Sequence, residues 1–208
     1  MDSKLKIMTF NSTGMAIDRI DFIKSVLNKY SPDIIMFQET WLIDCRLNVL
    51  GGNDSWYLGN GVAASIDNDL LLGRPKCGLG ILWNRTLCKN VKYMVIPSTD
   101  RACALELHCD SGCYIFINLY MPVDNQCKTR VSDEFQDTLD AVELFIQQCA
   151  GKHIVIGGDV NVDFIRRNAH DKCFQDFLER NSHIDVYSLQ NCNVSYTYND
   201  PHNNCFHV

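Results

Sequence analysis

Ile154-Val155-Ile156-Gly157-Gly158-Asp159-Val160-Asn161-Val162-Asp163-Phe164 decides how this chain is read. A short, largely β-branched apolar run predicts a buried strand, and two glycines at its end give way to a carboxylate and then an amide two residues later. A buried strand fixes the backbone, while Gly157 and Gly158 let another chain or a substrate approach closely. If strand geometry continues, the i, i+2 spacing sends Asp159 and Asn161 to the same side. The plainer alternative is an ordinary strand that ends in an Asp/Asn turn, because these residues commonly terminate strands. The rest of the chain bears on the choice.

At 208 residues, 46% apolar and 21% charged, the sequence suits one domain over 1–208 with a sizeable core. It contains no run of about 18 apolar residues, and Met1-Asp2-Ser3-Lys4-Leu5-Lys6 leads into a strand-like segment without a signal-peptide core. The expectation is an intracellular protein, nuclear or cytoplasmic, not secreted and without a membrane partner; a monomer is expected. Eleven cysteines would fit a disulfide scaffold in a small secreted chain, but the length, the odd count and the absence of a leader favour reduced, buried thiols. There is no C-x-x-C pair, so no structural zinc is expected; Cys109 and Cys113 are only loosely spaced. The net charge of −6 argues against gripping nucleic acid through bulk positive charge, but leaves room for an acidic site neutralised by a divalent cation.

Two further strands end in polar groups. Leu5 to Phe10 alternates and exits at Asn11, and the apolar run Asp33 to Phe37 exits at Gln38-Glu39-Thr40. Between them Ile20, Ile23, Leu27 and Tyr30 recur at helical spacing until Ser31-Pro32 stops the helix. Residues 41–76 dissolve into Gly, Asn and Asp with room for one or two short elements. Strands are then expected at Gly78 to Trp83, Val91 to Ile96, Ala102 to Cys109 and Tyr114 to Tyr120, the last halted by Pro122. Ser132 caps a helix striped by Phe135, Leu139, Val142, Ile146 and Cys149, and Gly151 ends it. A helix over Asp171 to Arg180 and short strands near Ile184 to Tyr187 and Val194 to Tyr198 complete the pattern. Many short strands with interspersed helices predict an α/β (α+β) fold with two packed sheets and helices outside, a four-layer α/β/β/α sandwich.

Thr9-Phe10-Asn11-Ser12-Thr13-Gly14-Met15, Asp33-Ile34-Ile35-Met36-Phe37-Gln38-Glu39-Thr40-Trp41, Gly78-Leu79-Gly80-Ile81-Leu82-Trp83, Asn118-Leu119-Tyr120-Met121-Pro122 and Gly157-Gly158-Asp159-Val160-Asn161 together resemble the metal-dependent endonuclease/exonuclease/phosphatase superfamily. Their wording is most similar to the apurinic-type endonuclease domain of LINE-like non-LTR retrotransposons, which nicks DNA so that a reverse transcriptase can prime. The resemblance implies a DNase I-like fold, DNA as partner and Mg²⁺, with Mn²⁺ as an alternative, as cofactor. It implies Glu39 as carboxylate ligand of the metal and Asn11 as support for the metal or a phosphate oxygen. Asp159 would orient and deprotonate the attacking water, Asn161 would hold that water or the phosphate, and Tyr120 would donate to a phosphate oxygen.

Two departures accompany the resemblance. Thr13 stands where abasic endonucleases often carry a second acid. After Ser195-Tyr196-Thr197-Tyr198 the sequence stops about where the family's next strand begins, before its terminal Asp and Ser-Asp-His motif; this implies a C-terminally truncated copy lacking the last strands. Ser182-His183-Ile184-Asp185 has similar residues in the wrong order, and His183 is read as structural. Whether the chain is an active enzyme is therefore open between an impaired DNA-nicking endonuclease and a catalytically dead remnant that binds nucleic acid or protein. A phosphomonoesterase or phosphoinositide phosphatase on the same scaffold is the third reading. Arg74, Lys76, Arg85, Lys128 and Arg130 are candidate phosphate contacts, although such scattered charges usually face solvent.

Overall fold

The computed structural model describes residues 4–15, 17–51, 56–65, 75–123, 131–186, 198–200 and 205–207. The chain forms two compact units, residues 1–120 with 145–159 and residues 121–144 with 160–208. The first unit holds two four-stranded sheets. One has the order β1-β2-β4-β3, formed by Ile7–Asn11, Ile34–Gln38, Leu79–Asn84 and Tyr57–Val62. The other has the order β5-β6-β7-β8, formed by Val91–Val95, Ala102–Cys109, Gly112–Tyr120 and His153–Asp159. Each contains one parallel pair, β1 with β2 and β7 with β8, and the remaining neighbours are antiparallel. In sequence a helix separates each parallel pair: α1, Ile17–Tyr30, in the first and α2, Asp133–Gln148, in the second.

The hydrophobic pattern explains the layers of this unit. All five residues of β2 are buried, as the continuous apolar run predicts. Alternate residues divide between two cores. Ile35 and Phe37 face Ile23 and Leu27 of α1, with Met8 and Phe10 packed against them. Ile34 and Met36 join Leu79 and Ile81, and meet Cys103, Leu105, Leu107 and Phe116 from the other sheet. The first unit is thus a helix on a sheet on a sheet. Tyr30, expected on the buried stripe of α1, is 53% exposed because it is the last residue of the helix. Within residues 41–76, a 3₁₀ turn at Asp44–Val49 and strand β3 are the short elements the sequence left unplaced. The segment expected to turn directly from β4 into β5 contains a second 3₁₀ turn, Arg85–Asn90, started by Asn84, whose side chain accepts from Thr86 N–H.

In the second unit the helix α2 begins at Ser132, whose hydroxyl accepts the Phe135 N–H, and Phe135 stacks on His170 at 4.2 Å between ring centroids. The helix α3, Ala169–Arg180, starts two residues earlier than the pattern indicated. Asp171 explains the earlier start: its carboxylate reaches back to accept the backbone N–H groups of Asn168 and Asp163. Phe174 and Phe177 are buried as expected. Ile184 and Val186 lie outside any strand and are 72% and 67% exposed, so that expectation fails; Tyr187 lies outside the described residues. Tyr198–Asp200 (β9) and Cys205–His207 (β10) pair antiparallel with one another, and residues 194–197 lie outside the described residues. No helix among the described residues is long and apolar enough to cross a membrane. Cys45, Cys77, Cys103, Cys109, Cys113, Cys149 and Cys173 are free thiols.

Candidate functional site

The parallel pairs deliver four of the expected residues to one place. Asn11 is the last residue of β1, Glu39 follows the last residue of β2, and Tyr120 and Asp159 end β7 and β8 as register partners. The carboxyl ends of parallel strands are where open α/β sheets usually carry their ligand sites. The Asn11 amide donates to Glu39 Oε1 at 2.9 Å and to Asp159 Oδ2 at 2.8 Å, and Tyr120 Oη donates to Glu39 Oε1 at 3.1 Å. One amide group therefore spans two carboxylates. The opposite end of that amide, Oδ1, accepts the Thr13 N–H at 3.1 Å, which fixes which end of the side chain faces the acids. Thr13 enters the site through its backbone, and its side chain is exposed.

The backbone around these groups is constrained. Glu39, Trp41 and Thr13 adopt left-handed conformations with φ of 51°, 54° and 45°. Such conformations cost on the order of 1–3 kcal/mol each and persist where surrounding contacts hold them. Here the loops after β1 and β2 hold each other: Ser12, Gly14 and Met15 N–H donate to the carbonyls of Gln38, Glu39 and Thr40 at 2.8, 2.7 and 2.9 Å. The buried Ser12 hydroxyl adds a bond to Gln38 O at 2.9 Å. On the other side, Gly158 has φ of 143°, and a Cβ there would lie 1.9 Å from Leu119 O. Gly158 thus lets β7 and β8 approach closely enough to set Tyr120 beside Asp159. The expectation that Gly157 and Gly158 permit close approach is met by the neighbouring strand and, at Gly157, by Met36 Sδ.

Tyr120 is held on its other side by Arg101, whose guanidinium lies 5.5 Å from the ring centroid and whose Nη1 donates to Tyr120 O at 3.4 Å. Burial raises the Tyr120 phenol well above its ordinary range, with the neighbouring Glu39 carboxylate acting in the same direction. The phenol therefore remains a hydrogen-bond donor at neutral pH.

Directly behind the site, Gln38 and Asn118 form a polar link between the two sheets that the sequence reading did not single out. Gln38 Nε2 donates to Asn118 Oδ1 at 2.6 Å, and Asn118 Nδ2 donates to Phe37 O at 2.9 Å and Gly80 O at 3.1 Å. Both side chains are almost fully buried. The signal was parity: Asn118 shares the strand face of Phe116 and so points into the apolar layer, where a polar side chain must find partners.

Asn161 belongs to the second unit. Its backbone is left-handed, with φ of 52°, and its amide donates to Met121 O at 2.8 Å. Continued strand geometry, the premise for aligning it with Asp159, therefore does not hold, because β8 stops at Asp159. His183, also in that unit, has its Nε2 buried without a hydrogen-bond partner, and burial lowers its pKa. Arg74, Lys128 and Arg130 lie outside the described residues, and Arg85 is exposed.

The family described as Endonuclease/Exonuclease/phosphatase family matches residues 8–206. No curated protein matches the chain by sequence. Among solved structures, the chain is similar to the AP endonuclease LMAP from Leishmania major, with 16% identity, a TM-score of 0.70, and 88% of this chain and 68% of that one covered. It is similar to the endonuclease domain of TRAS1, a telomere-specific non-LTR retrotransposon, with 11% identity, a TM-score of 0.61, and coverage of 86% and 71%. It is also similar to the 3′ phosphatase NExo from Neisseria bound to a product DNA hairpin, with 17% identity, a TM-score of 0.58, and coverage of 85% and 71%. The mixed α/β, two-sheet architecture, which the sequence pattern predicts, matches the DNase I-like fold of these neighbours, which the resemblance implies.

Proposed function

We propose, from the premise that this chain belongs to the endonuclease/exonuclease/phosphatase family, that it is a metal-dependent phosphodiesterase acting on DNA, and in particular a nicking endonuclease of the LINE-like retrotransposon type. The observation that carries the reading is the hydrogen-bonded set Asn11, Glu39, Asp159 and Tyr120 gathered at four strand ends. The chain's wording around these residues and the likeness to the TRAS1 endonuclease domain support the retrotransposon branch.

The residues fit a hard divalent cation. Two carboxylates offer oxygen, the donor preferred by Mg²⁺ and Mn²⁺, and are as many as Mg²⁺ usually takes, while the Asn11 amide presents its Nδ2 to both and orients them. Glu39 would hold the metal, with Asn11 supporting it. When bound, the metal supplies charge stabilisation on the phosphate and on the leaving 3′ oxygen. Asp159 is the base that takes the proton of the attacking water, and the Asn11 amide at its Oδ2 fixes the direction of the carboxylate. Tyr120, kept protonated by burial, donates to a phosphate oxygen, with Arg101 holding the ring in place. For Asn161 the family resemblance alone carries the proposed role of holding the water or the phosphate.

Calorimetric titration of Mn²⁺ against the chain and its Glu39→Gln variant tests the ligand assignment. One site weakened by at least about tenfold in the variant is expected; identical isotherms would remove Glu39 as the ligand. The likeness to a 3′ phosphatase favours a second reading, phosphomonoester hydrolysis at the same residues. Release of inorganic phosphate from a 3′-phosphorylated oligonucleotide without plasmid nicking would select it. Metal binding without hydrolysis of either substrate would select a binding remnant.

A further inference from the structure

A second cluster of metal-ligating side chains lies at the far end of the β6–β7 hairpin. Cys113 is seven residues from Tyr120 along β7, about 23 Å at strand rise, so the cluster is separate from the site above. His108 and Cys113 are register partners, and Glu106 lies on the same strand face as His108. Cys113 Sγ is 3.2 Å from Glu106 Oε1 and 3.9 Å from His108 Nε2, and His108 Nε2 is 3.3 Å from Glu106 Oε1.

These separations can be compared with those a metal demands. Around tetrahedral Zn²⁺, ordinary bond lengths place S and N about 3.6 Å apart, S and O about 3.5 Å, and N and O about 3.3 Å. The three measured edges of 3.9, 3.2 and 3.3 Å agree with that triangle to about 0.3 Å. Glu106 is almost buried and fixed, whereas the His108 side chain is 63% exposed and opens the cluster to solvent. A thiol, an imidazole and a carboxylate select a borderline-soft cation over Mg²⁺. We infer that Glu106, His108 and Cys113 form a Zn²⁺-class site, with solvent at the fourth position, that ties together the ends of β6 and β7.

Binding converts the Cys113 thiol to a thiolate and releases one proton to solvent, and no electron moves. The chain carries its own competitor. Lys152 Nζ is ion-paired to Glu106 Oε1 at 2.5 Å, so the ammonium and the metal contend for one oxygen. Spacing along the sequence, from which no structural zinc is expected, does not reveal this site because its ligands become neighbours only through strand pairing, with the pair at 108 and 113 closing a hairpin instead of a C-x-x-C loop.

The test is Co²⁺ titration of the chain in excess Mg²⁺, read by the near-ultraviolet charge-transfer band that requires a thiolate ligand. One Co²⁺ per chain, displaced by Zn²⁺, is expected. Cys113→Ser should abolish the band, and Cys109→Ser and Glu39→Gln should retain it. His108→Ala should weaken binding more than about 100-fold, beyond the loss typical of groups that merely support a ligand. Lys152→Met should tighten it. No band, a band surviving Cys113→Ser, or a band lost in Cys109→Ser would each overturn the site. If Cys113→Ser fails to fold, undiminished affinity in the exposed His108→Ala variant overturns it equally.

Discussion

Replacing Asn118 by alanine should cost the fold more than its single side chain suggests, and the cost can be worked from its partners. The amide makes three bonds inside the sheet-to-sheet layer: it accepts from Gln38 Nε2 and donates to the carbonyls of Phe37 and Gly80. Truncation leaves those two carbonyls short of a donor in a site that water does not reach, each at about 1–3 kcal/mol. Gln38 retains contacts with Thr9 Oγ1 and Met36 O, so its loss lies at the low end. The sum is about 3–7 kcal/mol, or a fall in melting temperature of about 6–28 °C for a protein of this size. Thermal unfolding followed by circular dichroism measures it. A double-mutant cycle with Gln38→Leu should also give a coupling of about 0.5–3 kcal/mol, because the two amides share a bond. A shift under about 2 °C, or strict additivity of the two substitutions, would refute the claim that this pair joins the sheets.

Gly158→Ala should destabilise the fold by about 2–4 kcal/mol, because its backbone is left-handed and the new Cβ meets Leu119 O, and it should weaken Mn²⁺ binding in the same calorimetric titration. Wild-type stability there would mean that β7 and β8 are not so closely held. Asp171→Asn should flatten acid unfolding of the second unit. Burial works to raise that carboxyl, but Arg166 and the backbone donors of Asp163 and Asn168 outweigh it and hold it below the usual carboxylate range. With a depressed folded-state pKa, its contribution is full above the unfolded value of about 4 and is lost as pH falls through the folded value. Urea titrations between about pH 2 and about pH 5 should therefore show a smaller pH slope in the variant. Tyr120→Phe keeps the ring against Arg101 and removes only the bond to Glu39, so thermal stability should hardly change while any hydrolysis falls by about 10²–10³-fold.

Strand ends were the most legible feature of the sequence. Asn11, Glu39, Tyr120 and Asp159 each follow a run whose apolar pattern marks its own termination, and their meeting in space follows from parallel pairing of β1 with β2 and β7 with β8. Asn161 was less legible: a spacing argument needs the strand to continue, and β8 does not. The short strand near Ile184 failed because an alternating trio has no preference without a neighbouring strand to pair with. Strand β3 was hidden for the opposite reason: two of its six residues are glycines, placed where Leu50 and β4 press closely, so little hydrophobic period remains to read. The Gln38–Asn118 link was readable from parity yet easily taken for ordinary strand polarity.

Hydrolysis of phosphodiesters with a divalent metal is the proposed work of the Asn11, Glu39, Asp159 and Tyr120 corner. Its most direct test is nicking of supercoiled plasmid by the chain in Mg²⁺ or Mn²⁺, alongside Asp159→Asn. Open circles are expected that depend on the metal, vanish with chelator and form about 10²–10⁴-fold more slowly in the variant. Nicking that persists unchanged in Asp159→Asn, or its absence from the chain at every metal concentration, would contradict it.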